Sequence, residues 1–516
     1  MMPQQKNPYL VSVAVSIATF MEILDTTIVN VALAHIAGSL GAGTDESTWV
    51  LTSYLVSNGI VLPLSGWLSS LMGRKKFFIA CIIGFTVASF LCGISTSLPM
   101  LIVCRLFQGI AGGGLQPSQQ AIIKDSFPAK KLGMAFAITG ATAVLAPIIG
   151  PTLGGYITDN FSWRWIFFMN VPVGIIAVIL VKFLVYDSSF AKKSKTASID
   201  YIGLGLVTLG LGALQIFLDK GEQNDWFDSS FIIIFAIIAV MGILGAIYWI
   251  SKQKQPIIKL QLFKLRSFSM PCIMLFFVGF AIYSSSALLP MLVQSDFGYD
   301  ATLSGLVLSP AGLAVIIMLP IVGKLVGKVH AKYLIAFGMF INGIGMFLTG
   351  FITPQTDYTT FVLVRIVQIM GMPFLFVPAS TLAFSRISEA DSNNASAIVS
   401  LMRNLGGSIG ISLVSSYLTN CKQIEQAHLV SKLTTDSTGY RDALVNYTHT
   451  INNLGVVGAQ AQTSALGHIY QELVTQSSIL AFRDAYDLVG TILLILAVLA
   501  LFMPKNPPHK EEIKAR

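Results

Sequence analysis

The stretch "LPLSGWLSSLMGRKKFFI" at residues 62–79 recurs as "LPIVGKLVGKVHAKYLI" at 319–335, an offset of 257 (319 − 62). A second match agrees with it. "LIVCRLFQG" at 101–109 aligns with "FVLVRIVQI" at 361–369, setting Arg105 against Arg365 and Gln108 against Gln368 at an offset of 260 (365 − 105). Gly150 meets Gly410 at the same offset. A near-constant spacing over three segments marks a duplicated unit, and the apolar runs around each copy say what that unit contains.

A helix crosses a bilayer with about 20 mostly apolar residues. Fourteen segments fit, at roughly 9–37, 47–71, 77–96, 99–124, 132–157, 164–185, 200–219, 230–250, 268–291, 302–325, 333–353, 359–384, 396–418 and 484–503. The repeat pairs the second with the tenth, the fourth with the twelfth and the fifth with the thirteenth. A step of eight is even, so both copies have the same orientation in the membrane. The expected fold is therefore an all-α polytopic membrane protein. It has six-helix bundles at 1–186 and 267–516, and two additional helices with cytoplasmic linkers at 187–266. Parallel repeats of six with a site between the halves are a plan of secondary transporters.

Composition excludes the alternatives. The 516 residues are 54% hydrophobic and 11% charged, with a mean hydropathy of +0.72, whereas soluble chains are about 25% charged. The net charge of +8 reports topology rather than nucleic-acid binding. With the N-terminus inside, the inner segments carry 24 of the 33 Lys and Arg residues, which places both termini in the cytoplasm. Lys6, the apolar core after it, Ala32 and Ala34 outline a weak signal peptide. A signal core does not, however, contain Glu22 and Asp25 and then continue apolar. Five cysteines, mostly in apolar runs, make no disulfide framework. No GxxxxGK[ST] loop, metal-spaced His/Cys cluster or Ser/His/Asp arrangement is present, so neither an ATP-driven pump nor an enzyme is suggested and no cofactor is implied.

The first span poses the functional question. "ATFMEILDTTIVNVAL" (18–33) holds Glu22 and Asp25 on one face, three residues apart, with Asn30 about a turn further out. A carboxylate in a bilayer costs on the order of 3 kcal/mol. One reading is a structural polar face tied to neighbouring helices. The other is a face lining a water-filled cavity, where the acids carry protons. Burial favours the neutral form of a carboxyl, so such a group takes up a proton and releases it when a cation approaches. Two acids fit this better than one, since each disfavours ionisation of the other.

Arg105 lies about 9 Å below the outer end of the fourth span, and Asp25 about 18 Å below the outer end of the first, at 1.5 Å per residue. An intramembrane Arg needs a partner, and Asp25 is within reach, either as a packing ion pair or as part of a proton-coupling set with Glu22. Arg403 and Asn404 lie a third of the way into the thirteenth span, on a face the sequence leaves open. Among many apolar aromatics, Phe276 and Tyr283 are candidates to line the cavity. With Glu22, Asp25, Asn30, Gln116, Arg403 and Asn404 they form the expected substrate-binding set. "GATAVLAPIIGPTLGGYI" (140–157) spaces glycines by four, which permits close helix contact, and its prolines kink the helix. Residues 419–483 form a polar outer segment. Within it "STGYRDALVNYTHTINNL" and "SALGHIYQELVTQSSIL" read as helices, the first capped by Ser437 or Thr438, giving a helical hairpin outside the membrane.

"LDTTIVNVAL" (24–33), "GWLSSLMGRKK" (66–76), "RLFQG" (105–109) and "GPTLGG" (150–155), in this order, resemble the drug:proton antiporters of the major facilitator superfamily, in the fourteen-helix branch. The long outer segment and "IDYIGLGLVTLGLGALQIFLDKGEQNDWF" (199–227) look most like EmrB-type inner-membrane components of tripartite multidrug pumps. The resemblance implies a multi-pass protein of the cell inner membrane that exports amphipathic drugs in exchange for protons. It also implies a periplasmic membrane-fusion adaptor protein and an outer-membrane channel as partners. Asp25 matches the family acid and Arg105 the fourth-helix basic residue. Gly66, Gly73 and Arg74 match the inner-loop motif, and Gly150, Pro151, Gly154 and Gly155 the fifth-helix motif. The inner-loop motif usually has an acid where Ser70 stands, and the first motif a Pro where Ala34 stands. An exporter of one endogenous metabolite, such as a siderophore, lipid precursor or peptide, is a rival reading. A transporter-like sensor is another.

Overall fold

The computed structural model describes residues 7–128, 131–186, 200–253, 256–434 and 437–503. Lys6, Lys130, Lys192, Lys193, Lys195, Lys254, Lys505, Lys510, Lys514 and Arg516, which carry part of the charge reading, lie outside them. The described residues are helical almost throughout. In order the helices are α1 (Pro8–Leu40), α2 (Thr44–Ser47), α3 (Trp49–Met72), α4 (Arg74–Gly93), α5 (Leu98–Gly112), α6 (Leu115–Ser126), α7 (Leu132–Asn160), α8 (Trp165–Phe168), α9 (Asn170–Leu184), α10 (Tyr201–Lys220) and α11 (Ser230–Lys252). They continue with α12 (Arg266–Ser295), α13 (Ala301–Leu325), α14 (Ala331–Gly350), α15 (Tyr358–Met370), α16 (Met372–Phe384), α17 (Ser392–Lys432), α18 (Thr438–Asn453) and α19 (Ala459–Ala500).

The packing is that of all-helical spans in two groups. α1, α6, α7 and α9 pack together, with α3, α4 and α5 alongside; α12 packs on α16 and α17, and α14 on α15, α16 and α19. The groups meet where α7 runs along α13 and where α3 and α6 meet α17. α10 and α11 pair with each other, and α10 leans on α3. Only 22% of the most apolar stretch of α11 is buried, against 72% for α1, so α11 presents Ile234, Val240, Met241 and Leu244 to lipid.

Three predicted spans are divided. Residues 99–124 form α5 and α6, 164–185 form α8 and α9, and 359–384 form α15 and α16. Glycine sits at the first and last of these breaks because the neighbours come too close for a side chain. A Cβ on Gly114 would stand 2.4 Å from the Cys81 sulfur, and one on Gly371 would stand 2.4 Å from the Gly338 carbonyl.

Among the described residues, thirteen helical spans are long and apolar enough to cross a membrane, the divided ones counted whole, one fewer than the fourteen segments read from sequence. The difference is α19. The 18 residues ending at Ala500 (483–500) carry Arg483, Asp484 and Asp487, whereas a qualifying stretch holds at most two charges. α19 still packs along α14 and α17 as a bundle member.

The outer segment also differs from the expected separate hairpin. α17 continues unbroken for 41 residues and α19 for 42. Both run past the apolar zone, and α18 lies between them with Ser437 as its N-cap. A small core of Ile451, Ala461 and Ala465, with Leu444 and Tyr447, holds α18 on α19. Of the apolar stripe in this part of α19, Ile469 and Leu473 are buried, while Leu466 and Tyr470 are exposed.

At the end of α10 a short turn ties both groups together. Lys220 donates to Thr48, and Thr52 to Asp219, on the α3 side. Trp226 Nε1 donates to Ser416 Oγ (3.0 Å), and Thr419 Oγ1 to Glu222 Oε1 (2.7 Å), on the α17 side.

Candidate functional site

Asp25 and Arg105 are both wholly withdrawn from solvent, at 1% and 0% exposure. The Arg105 guanidinium donates from Nη1 to Asp25 Oδ2 at 2.6 Å and to Gln108 Oε1 at 2.7 Å. Its Nε donates to the Val50 carbonyl at 3.1 Å. The other carboxylate oxygen of Asp25 accepts from Gln108 Nε2 (3.1 Å) and Asn170 Nδ2 (2.6 Å). Ser89 Oγ accepts from both of those amides. An ion pair buried this deeply persists only with further hydrogen bonds around it; α3, α5 and α9 supply them here, and of its nitrogens and oxygens Arg105 Nη2 alone is left without a partner.

Glu22 is equally buried but differently held. Its Oε1 accepts from Tyr54 Oη (3.1 Å) and Asn58 Nδ2 (3.2 Å), and its Oε2 from Gln116 Nε2 (2.7 Å). None of these donors is a cation. The nearest link to positive charge runs through Gln116, whose Oε1 accepts from Arg403 Nη2 on α17. Tyr54 joins the two acids, with its hydroxyl on Glu22 and its ring 4.3 Å from the Arg105 guanidinium carbon. Thus α1 carries two carboxyls in two settings, one with a counter-charge inside its own bundle and one facing the other bundle.

Not every expected site residue is drawn in. Tyr283 packs its ring against Gly407 and lies within electrostatic reach of Arg403 and Glu22. Phe276 is half-buried against Phe277, ring centroids 5.2 Å apart. Asn30 is exposed and Asn404 half-buried, and neither makes a side-chain hydrogen bond among the described residues. Sequence reasoning placed Gln108 in the repeat but not in the site, and it missed Tyr54, Asn58, Ser89 and Asn170. The signal for the first two was present: Ser53, Tyr54, Ser57 and Asn58 give α3 a polar strip at i, i+3 and i+4 spacing.

The motif glycines act through contact. A Cβ on Gly150 would lie 2.0 Å from Thr27 Oγ1, and one on Gly154 3.2 Å from the Ile28 carbonyl, so these two seat α7 against α1 beside Asp25. Pro151 lies inside the same helix. Gly155 faces the other way: a Cβ there would lie 2.8 Å from the Ala301 backbone across the interface between groups. Gly73, at φ +86°, makes the turn between α3 and α4 in a conformation that favours glycine. A Cβ on Gly66 would meet the Asn393 carbonyl at 2.9 Å, again across the interface. Arg74 binds Asn393 Oδ1 at 2.7 Å and the Ala121 carbonyl at 3.1 Å, and is paired with Asp125. Ser70 instead donates to the Trp67 carbonyl at 2.7 Å. The acid that the loop motif lacks at Ser70 is thus supplied to Arg74 from α6.

Arg105→Ala leaves Asp25 with only neutral donors. Loss of the cation leaves the buried carboxylate without a counter-charge. The pH profile of substrate binding is expected to shift from that of the unaltered protein. A profile that stays in place, whatever the activity, would separate Arg105 from the protonation of Asp25.

Two helical groups of repeated sequence meeting at a buried polar centre describe a transporter of the parallel-repeat kind. The sequence profile of the Major Facilitator Superfamily matches residues 15–411. The multidrug export protein EmrB of Escherichia coli (strain K12) is 35% identical over 512 residues, covering 98% of each chain. The fatty acid resistance protein FarB of Neisseria gonorrhoeae is 33% identical over 501 residues, covering 97% of this chain and 96% of FarB. The chain belongs to the major facilitator superfamily, in its EmrB-like family of multidrug export proteins, which are transporters and not enzymes. The crystal structure of a double-Trp variant of XylE superposes with a TM-score of 0.63 at 13% identity, covering 98% of each chain, and so shares the fold.

Proposed function

We propose that the protein is a proton-driven antiporter of the inner membrane that exports amphipathic or lipophilic compounds, with both termini in the cytoplasm. One observation carries this reading. Two buried carboxyls share one face of α1: Asp25 is paired with Arg105, while Glu22 is joined through Gln116 to Arg403 of the opposite group. Proton binding at the first and substrate or charge binding at the second are therefore competing demands on one helix. A ligand shifts a two-state protein only by its differential affinity for the two states. Protonation of Asp25 releases Arg105, and a cation near Glu22 favours loss of its proton. The three units, 1–186, 187–266 and 267–516, would then rock about the α7–α13 and α3–α17 contacts. The names of the relatives, which include multidrug export and fatty acid resistance, support substrates with an apolar body and a polar or charged end. The EmrB-like family and the extended outer helices support a periplasmic adaptor and an outer-membrane channel as receivers of the exported compound.

The test is transport in proteoliposomes under an imposed pH gradient with a panel of lipophilic dyes. Gradient-dependent accumulation of several unrelated dyes is expected. Movement of none under a gradient, with the protein folded, would overturn the reading. In the same assay Glu22→Gln is expected to weaken transport of cationic dyes several-fold more than of neutral ones. Equal loss for both classes would remove a charge-selecting role for Glu22.

A further inference from the structure

The duplication that defines the fold also carries a polar centre into the second half, with one member changed. Adding 260 to Ser89, Arg105 and Gln108 gives Thr349, Arg365 and Gln368. These three repeat the first-half contacts. Arg365 Nη1 donates to Gln368 Oε1 at 2.9 Å, as Arg105 does to Gln108, and Gln368 Nε2 donates to the Thr349 hydroxyl, as Gln108 does to Ser89. Arg365, like Arg105, is 0% exposed. The same offset carries Asp25 to position 285, where the sequence has serine.

The second-half cation is therefore left without the anion of the first. Among the described residues no acid lies within ion-pair distance of Arg365. Its Nη1 also reaches the Ser285 carbonyl at 3.3 Å and its Nη2 the Ser286 hydroxyl at 3.1 Å, both neutral. Its Nε is buried with no hydrogen-bond partner, as is Nη2 of Arg105, so what sets Arg365 apart is the missing acid. On α19, Tyr486 lies within electrostatic reach of Arg365, and its buried hydroxyl also has no partner. In the first half the corresponding last helix of the bundle, α9, provides Asn170, which donates to the Asp25 carboxylate. An arginine keeps its charge in proteins, and an uncompensated buried charge is strongly unfavourable. An unused donor on such a charge, with a second unused hydroxyl within its electrostatic reach, is what a bound anion requires.

We propose that the second bundle binds a small monovalent anionic group between Arg365 and Tyr486, beside Ser285, in the place that the Asp25 carboxylate takes in the first. The chemistry fits two sources: a free inorganic anion of halide size, or the carboxylate end of a lipophilic acid. Either would complete a second buried charge pair, so that both bundles are neutral at their centres.

The experiment measures the thermal unfolding midpoint of the full-length protein in lipid nanodiscs. Chloride replaces methanesulfonate at constant ionic strength. For the unaltered protein a saturable rise of about 3 °C is expected at chloride well above its dissociation constant. Arg365→Met removes the cation and is expected to show no rise. Ser285→Asp restores the first-half arrangement; it is expected to show no rise and to unfold in methanesulfonate no earlier than the unaltered protein does in chloride. Ser285→Asp carries the test alone if Arg365→Met does not fold. Octanoate, titrated in methanesulfonate below its micellar range, separates the sources. Protection by chloride alone assigns an inorganic anion, and protection by octanoate that chloride competes away assigns a carboxylate. No rise with either anion in the unaltered protein, or a rise of the same size in Ser285→Asp, overturns the proposal.

Discussion

Asp25→Asn is expected to reduce gradient-driven export to background while the protein remains folded in the membrane. Removing one partner of a buried pair ordinarily costs about 3–5 kcal/mol, which would make an inactive variant uninformative. Here the remaining contacts offset part of that cost. Asparagine keeps a carbonyl oxygen for the amides of Gln108 and Asn170. Arg105 keeps Gln108 and the Val50 carbonyl, and the Tyr54 ring lies 4.3 Å from its guanidinium carbon. More to the point, asparagine imitates the protonated acid, a state that the proposed cycle visits on every turn. The same argument makes the experiment selective. Exchange of labelled for unlabelled dye across the membrane needs no net proton movement, so it should survive in Asp25→Asn. Full proton-driven export by this variant would take Asp25 out of the mechanism. Loss of exchange as well as driven export would assign it to substrate binding instead.

The second large effect is expected from the outer helices. Replacing residues 430–475 with a short Gly/Ser linker should spare export from proteoliposomes. In cells with an outer membrane it should abolish resistance and recovery of the adaptor in pull-downs. α17 and α19 pack side by side within the bundle, so a short linker can join them once α18 and the outer halves are gone. What is removed is half-wet surface: Val445, Leu454, Val457 and Tyr470 are large apolar side chains with more than half their surface exposed. Transport across a single membrane gives no reason for such an extension, whereas long segments between elements are usually functional. If the shortened protein still recovers its adaptor, docking lies elsewhere. If transport in proteoliposomes fails too, the outer helices belong to the pathway itself.

The fold was legible because a bilayer permits so few solutions. Apolar length gave the spans, and the repeat gave their grouping. The Asp25–Arg105 contact was legible by depth along two helices, since an arginine reaches several ångströms and has few places to put its charge. The helix rotations were not legible. Whether Arg403 faces lipid or Gln116 depends on how α17 docks between α3 and α12, and no single-helix pattern encodes that. Tyr54, Asn58 and Asn170 went unassigned for a related reason. A neutral polar residue in a span finds a partner on any adjoining helix, so its type alone does not say which. The outer segment shows a different limit. Polarity marks where the bilayer ends, but the i to i−4 hydrogen bonds of a helix continue into water as readily as they cross lipid. The polar stretch therefore reads as a separate hairpin, whereas two of its three helical pieces continue membrane helices.

That continuity has a mechanical consequence. A helix of 41 residues such as α17 is about 60 Å long at 1.5 Å per residue. Held in the second bundle over its first half, it is a lever arm whose free end stands well clear of the lipid. Each degree by which the bundle tilts carries the tip through about 1 Å, and α19, packed beside it, stiffens the arm. Whatever rests on that tip is moved by the rocking of the bundle and can, by the same rigid coupling, resist it.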